Sequence, residues 1–162
     1  MSELLWFVAH TRPRCEKKLA QFCEREHLEA TLPCYRAVHK YAGKVVTFEK
    51  PLFPGYLFLN IAQQHRQEVY QSDYVANLLE VHDQALFLEQ LGNILLALGT
   101  GLEIQLAPEI GVGRRVRITR GPLRNVEGWV ENRYGMSTVL LRLDFISQAA
   151  AVKVEADELE LV

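Results

Sequence analysis

The sequence predicts an α+β protein: an antiparallel sheet with its helices gathered on one side, followed by a small β-barrel. Three observations predict it. Apolar residues recur at helical spacing in two stretches, Cys15, Leu19, Phe22, Cys23 and Leu28, then Leu88, Leu91, Leu95 and Leu98. Between and before them lie short runs rich in aromatic and β-branched residues, bounded by Pro and Gly. After residues 99–113, which hold Gly99, Gly101, Gly111, Gly113 and Pro108, only short strand-like runs at close spacing follow.

Taken in order, Leu4 to Ala9 is a short apolar run of strand length, with Trp6, Phe7 and Val8 favouring extended backbone. Thr11-Arg12-Pro13 switches the period, and proline suits a first helical turn, so Thr11 or Arg12 is expected near the cap of a helix of about three to four turns. Ala30 to Arg36 reads as a strand interrupted by Pro33. Val38 to Tyr41 and Lys44 to Phe48 flank Ala42-Gly43, a hairpin turn. Pro51 and Pro54 bend the approach to Gly55. Beyond it, period two puts Tyr56, Phe58 and Asn60 on one face of a strand and Leu57, Leu59 and Ile61 on the other. Gln63 to Ser72 favours helix, Val75 to Val81 strand, and Gln84 to Leu98 helix. Arg114 to Thr119, Trp129 to Glu131, Val139 to Phe145 and Ala151 to Val154 are the strands of the second part. The Leu and Ala content from Val139 to Val154 also suits a helix; the alternation of Val139, Leu141, Leu143 and Phe145 decides for strand. The domains are therefore expected at 1–99 and 112–162, with a linker at 100–111.

At 162 residues, 49% hydrophobic and 23% charged, the chain is one ordinary domain or two small ones. A net charge of −2 and a pI near 6.2 mean that any nucleic-acid contact rests on local clusters rather than bulk charge. No apolar run reaches the ~18 residues of a membrane span, and no secretory pattern opens the chain, so a cytoplasmic location is expected. Cys15, Cys23 and Cys34 form no C-x-x-C pair and read as reduced packing thiols. His10, His27, His39, His65 and His82 show no metal-ligand spacing, and no phosphate-cradling glycine loop is present. Neither an enzyme nor a cofactor or metal is expected; a thiol enzyme built on Cys15 or Cys34 with His10 finds nothing that activates either thiol.

Two segments resemble one family, the NusG-type transcription elongation factors and their RfaH-like paralogs. The first joins Trp6-Phe7-Val8-Ala9-His10-Thr11 and Glu16-Lys17 to Leu52-Phe53-Pro54-Gly55-Tyr56-Leu57-Phe58. The second, Gly113 to Val130 with Val116-Arg117-Ile118, Gly121-Pro122-Leu123-Arg124 and Val126-Glu127-Gly128, is similar to a KOW motif. The resemblance implies an N-terminal domain that rides on RNA polymerase and an SH3-like C-terminal barrel that recruits partners. It implies contact with the clamp helices of the largest polymerase subunit through His10, Phe53, Tyr56 and Phe58. His65, Arg66 and Gln67 would face the gate loop of the other large subunit, although the RfaH-type form there is His followed by threonines. Arg12, Arg14, Lys17 and Lys18 would meet the non-template DNA strand, the last three sharing a helix face. Leu123, Phe145 and Ile146 would form the partner surface of the KOW domain, for a ribosomal protein or Rho. A monomer with no membrane contact is expected, acting in elongation and antitermination.

For Phe53 and Tyr56 the competing reading is plain core packing, against an interface whose aromatics carry the binding energy. For Arg12, Arg14, Lys17 and Lys18 it is a solvated helix surface. For Arg114, Arg115, Arg117, Arg120 and Arg124, flanked by Glu109, Glu127 and Glu131, ion pairing outweighs RNA binding. A ribosome-associated RNA-binding KOW protein is the alternative function, and the acidic pI speaks against it. The Thr11-Arg12-Pro13-Arg14 start and the compact linker favour a locus-specific paralog, in which the Leu- and Ala-rich stretch after Ser137 allows a helical, autoinhibited C-terminal domain that masks the aromatic patch.

Overall fold

The structure, a computed structural model, describes residues 3–107, 114–133 and 136–162; for residues 131–133, 136, 137 and 156 it describes the backbone alone. Glu109, Gly113 and the rest of residues 108–113, which the sequence assigns to the linker and the start of the KOW-like motif, lie outside the described residues, as does the side chain of Glu131. The chain divides into two compact units, Met1–Gln84 and Ala85–Val162.

In the first unit, β1 (Leu4–Thr11) leads through α1 (Glu16–Arg25) to β2 (Glu29–Thr31). A hairpin follows, β3 (Cys34–Tyr41) and β4 (Lys44–Pro51), then β5 (Tyr56–Ala62), a 3-10 turn (Gln63–His65), α2 (Arg66–Gln71) and β6 (Val75–Glu80). The four-stranded sheet runs β2-β5-β1-β6, with antiparallel neighbours throughout. β1 and β2 are therefore mutually parallel, with β5 between them and α1 as the crossover; β5 and β6 stand in the same relation through α2. This is the split β-α-β arrangement of ferredoxin-like folds, with the β3–β4 hairpin inserted. Right-handed crossovers put both helices on the same face of the sheet. The core there joins Leu19 and Cys23 of α1 and Val69 of α2 to Phe7 and Ala9 of β1 and Leu57, Leu59 and Ile61 of β5. The period-two reading of β5 placed these three residues together, and they are fully or almost fully buried.

Local chemistry accounts for most element ends, and two expectations at the start of α1 are corrected. Thr11 does not cap α1. It is the last residue of β1, pairing with Val75 across a register shift after His10. Its N–H donates to the Gly55 carbonyl at 2.8 Å. The chain then turns through Pro13 and Arg14, the latter at φ 61°, and the helix starts at Glu16, behind Cys15 rather than behind Thr11 or Arg12, with no side-chain cap. Arg14 thus lies outside α1, and the shared helix face expected for Arg14, Lys17 and Lys18 does not form. Pro33 separates β2 from β3, as its missing N–H requires. At the hairpin tip Ala42 and Gly43 both take positive φ, 49° and 81°, the twist that two-residue hairpin turns need.

In the second unit, α3 (Gln84–Leu98, of which Gln84 belongs to the first unit) precedes a six-stranded antiparallel sheet in the order β12-β8-β9-β10-β11-β7. The strands are β7 (Ile104–Ala107), β8 (Arg114–Ile118), β9 (Glu127–Arg133), β10 (Met136–Leu143), β11 (Gln148–Val154) and β12 (Leu159–Leu161). The Leu- and Ala-rich stretch is thus β10 and β11, paired from Ser137↔Val154 to Leu143↔Gln148. Ile104–Ala107, inside the expected linker, pairs with β11. Phe145 does not continue β10. It sits in the 3-10 turn Asp144–Ile146, which ends at Ser147 in the left-handed conformation. Within this unit the Gln90 amide donates to Asp144 Oδ2 at 3.0 Å and accepts from the Asp144 N–H at 2.9 Å, and Phe87 meets Phe145 edge-on.

Candidate functional site

The sheet face opposite α1 and α2 carries the residues expected to dock. His10 and Tyr56 are register partners on β1 and β5, and their rings stack at 5.3 Å with 17° between planes. The turn before β5 holds them there. Leu52 N–H donates to the Pro33 carbonyl and Tyr56 N–H to the Phe53 carbonyl, while Gly55 passes through φ 86°. A Cβ at Gly55 would meet the His10 ring at an ordinary 3.7 Å, so the dihedral rather than the space calls for glycine. His10 is exposed and Tyr56 half-buried.

Phe53 and Phe58 differ from expectation. They are 1% and 0% exposed and meet edge-on at 6.2 Å. Alternation along β5 is as read, but the second face of the sheet is also covered at Phe58 and Val8. The aromatic cluster is therefore part surface and part core: His10 and Tyr56 are available to a partner, and Phe53 and Phe58 form packed support.

The other candidate residues of this unit scatter. His65 closes the 3-10 turn and approaches Glu68 at 3.1 Å, while Arg66 opens α2 with its guanidinium 5.3 Å from the centre of the Phe7 ring and a donor on the Leu78 carbonyl. Arg66 is thus turned back onto the sheet, and Gln67 is the exposed member of the three. Arg12, Arg14, Lys17 and Lys18 are all exposed. Arg12 stands 3.4 Å from Asp73, and Lys17 donates to the Glu49 carbonyl at 2.6 Å, tying the start of α1 to β4.

On the second unit, Leu123 and Ile146 are buried and Phe145 half-buried, so the expected partner surface is mainly core. The arginine cluster is paired. Arg115 and Arg117 both bind Glu127, Arg117 also binds Glu160, and Arg120 binds Asp157. The hydrogen bond from Arg117 holds the Glu127 carboxyl below its ordinary range. The positive charge of Arg115, Arg117 and Arg120 is thus spent locally.

Neither the Cys23 nor the Cys34 thiol is activated by its surroundings. Burial pushes Cys23 up to about 11. Burial also raises Cys34, against the opposing pull of the nearby Lys17 charge. Cys23 is fully buried and Cys15 half-buried. Iodoacetamide is therefore expected to label Cys15 in the native protein and to reach Cys23 only after denaturation, which peptide mass mapping with and without guanidinium checks. Among the described residues no His, Cys, Asp and Glu side chains gather as a metal site, and no helix is long and apolar enough to cross a membrane.

A family model described as NusG, transcription termination factor nusG, matches residues 4–90, more than half of the chain. The chain belongs to the NusG family. It is on this ground a transcription factor of the elongation type. The matched segment contains the whole of the four-stranded sheet together with His10 and Tyr56. Among solved structures the chain is similar to one described as "Crystal Structure of MjSpt4:Spt5 complex conformation B", with 16% identity, 98% of this chain and 97% of that chain covered, and a TM-score of 0.33. A likeness at that level carries no weight for function. No curated protein matches the chain.

Proposed function

We propose that this NusG-family chain binds RNA polymerase through the exposed His10–Tyr56 pair, bridges its two largest subunits, and suppresses pausing or termination. The stacked pair is the observation that carries the reading. Two rings held by strand pairing, on a rigid packed base, present apolar area with little conformational freedom left to lose on binding. In this proposal the clamp helices take His10 and Tyr56, while Phe53 and Phe58 shape the surface from beneath. Gln67 and the exposed edge of His65 face the gate loop. Arg12, Arg14 and Lys18 supply phosphate contacts to the non-template strand, for which positive charge without directed base readout suffices. The C-terminal domain recruits a further protein, a ribosomal protein or Rho, and the chain is a locus-specific paralog acting in the cytoplasm. A helical, masking form of the C-terminal domain draws no support from this structure, in which Met136–Leu143 and Gln148–Val154 are strands. The ribosome-associated alternative is weakened by the ion pairs that occupy Arg115, Arg117 and Arg120.

Tyr56→Ala tests the reading. The ring is half-buried and its loss leaves the sheet's packed faces intact, so the variant is expected to keep its fold by circular dichroism. Its affinity for core RNA polymerase should fall by about tenfold, the size of a truncated aromatic anchor. A folded variant that binds polymerase as tightly as the parent removes the proposed interface.

A further inference from the structure

The β3–β4 hairpin pairs with no other strand of the described sheets, and one of its faces has an unusual composition. The register sets Tyr35 opposite Lys50, Ala37 opposite Phe48, His39 opposite Val46 and Tyr41 opposite Lys44, so these side chains share a face. Three aromatic rings cluster there: His39 lies 5.9 Å from Tyr41 and 5.7 Å from Phe48, and Tyr41 lies 6.3 Å from Phe48. Tyr41 is 57% and Phe48 42% exposed, far more than packing aromatics are. Lys50 donates to His39 Nε2 at 3.0 Å, and Lys44 stands at the tip. The hairpin's one carboxylate, Glu49, pairs with Arg36 in register and so belongs to the opposite face. In a chain of net charge −2, this face holds cations and rings and no acid.

We infer that the Tyr35–Lys50 face of the hairpin is a binding platform for single-stranded DNA, with Tyr41 and Phe48 stacking on unpaired bases and Lys44 and Lys50 meeting the phosphates. Interleaved rings and lysines on an extended ribbon are the composition that sequence-tolerant strand binding uses, because every base has a face to stack on. Tyr41 and Phe48, on opposite strands of the ribbon, lie 6.3 Å apart with nearly perpendicular planes, an arrangement that suits separate unstacked nucleotides rather than the parallel bases of a closed duplex. Paired bases keep their faces inside the duplex, so the exposed rings gain nothing there. Toward a 2′-hydroxyl, the group by which a site selects RNA, the face offers only the Tyr35 and Tyr41 hydroxyls, the His39 ring and the lysines, with no carboxylate or amide acceptor. A protein partner is the competing occupant. The absence of any acid amid two lysines favours a polyanion over a protein surface of mixed charge. This platform is separate from the basic residues at the start of α1, and it does not depend on polymerase binding.

The test uses the full chain without polymerase. A fluorescein-labelled, mixed-sequence single-stranded DNA is titrated at low salt and followed by anisotropy, with the same sequence as duplex and as RNA in parallel. The single strand is expected to bind more tightly than the duplex and no more weakly than the RNA. Tyr41→Ala and Phe48→Ala should each weaken it by roughly tenfold, the effect of losing one stacking partner. Lys44→Gln should reduce the slope of log affinity against log salt by about 0.7, one phosphate contact on a single strand. Lys18→Gln, on α1, serves as the control, and the loss on Tyr41→Ala should persist in that background. Three outcomes overturn the platform: single-stranded binding insensitive to Tyr41 and Phe48, equal binding of duplex, or tighter binding of RNA. Absence of any DNA binding together with weakened polymerase binding in the Tyr41 and Phe48 variants would assign the face to a protein instead. Tyr41 and Phe48 are exposed, so both variants are expected to melt as the parent does, and unchanged circular dichroism separates loss of binding from loss of fold.

Discussion

Phe58→Ala destabilises the N-terminal unit by about 3–5 kcal/mol, the range for deleting a fully buried phenylalanine that its neighbours cannot collapse onto. Phe58 is 0% exposed, sits mid-strand in β5 and is paired on both sides, to Val8 of β1 and Thr31 of β2. Neither neighbouring strand can shift to fill the space without slipping its register. Small domains have only about 5–15 kcal/mol in total, so the variant loses much of its stability. Urea titration followed by far-ultraviolet circular dichroism reads the change, with Tyr56→Ala as the surface comparison one register step away. A Phe58→Ala loss below about 1 kcal/mol would mean that this face of the sheet is not packed in solution. The same reasoning makes Phe53→Ala, at 1% exposure, a variant of stability rather than of docking. Reduced polymerase binding in either phenylalanine variant would report a damaged fold, so Tyr56 is the position at which binding can be read cleanly.

Why the sequence misplaces Phe53 and Phe58 is a matter of what periodicity contains. Alternation along Tyr56 to Ile61 separates the two faces of β5, and the structure keeps that separation: Leu57, Leu59 and Ile61 lie in the helix-side core and Phe58 does not. Alternation says nothing of whether the second face meets solvent, a partner or more protein. Proline and glycine signals were legible because they act locally. Ala42-Gly43 makes its hairpin turn, and Pro33 ends β2. The start of α1 was not, because Thr11 is held by a tertiary bond to Gly55, forty-four residues away in sequence. Ile104–Ala107 and Leu159–Leu161 escaped for the same reason. Runs this short become strands only through partners, β11 and β8, that local composition does not name. The arginine cluster from Arg114 onward was readable as charge, but its neutralisation by Glu160 and Asp157 comes from the chain's far end. The hairpin's aromatic face is an intermediate case. Its strands are plain in the sequence, while the gathering of His39, Tyr41 and Phe48 needs the register.

Gly128→Ala is the counterpart in the C-terminal unit, and there the objection is to an added atom. Gly128 lies in β9 between β8 and β10, opposite Val116. A Cβ at this position would come within 2.6 Å of Val139 Cγ1 and 2.8 Å of the Leu140 carbonyl oxygen, with Leu141 Cδ2 at 3.3 Å. A flexible side-chain end could yield, but Val139 is β-branched and fully buried, and the Leu140 oxygen is backbone of a strand paired on both edges. Relief therefore requires β9 and β10 to part, which weakens the ladder from Trp129↔Leu140 to Asn132↔Ser137. No left-handed dihedral is invoked; the space alone excludes a side chain. Overpacking of this kind costs about 1–3 kcal/mol where neighbours can move, and the upper end is expected where one of them is main chain. Amide hydrogen exchange locates the effect: protection should fall most across Glu127–Arg133 and Met136–Leu143, the two strands the added atom forces apart. Unchanged protection in β9 and β10 would show that the two strands stand further apart in solution than the structure places them. The glycine that completes the Val126-Glu127-Gly128 part of the KOW-like motif thus has a packing role, set by the closeness of two strands rather than by a turn.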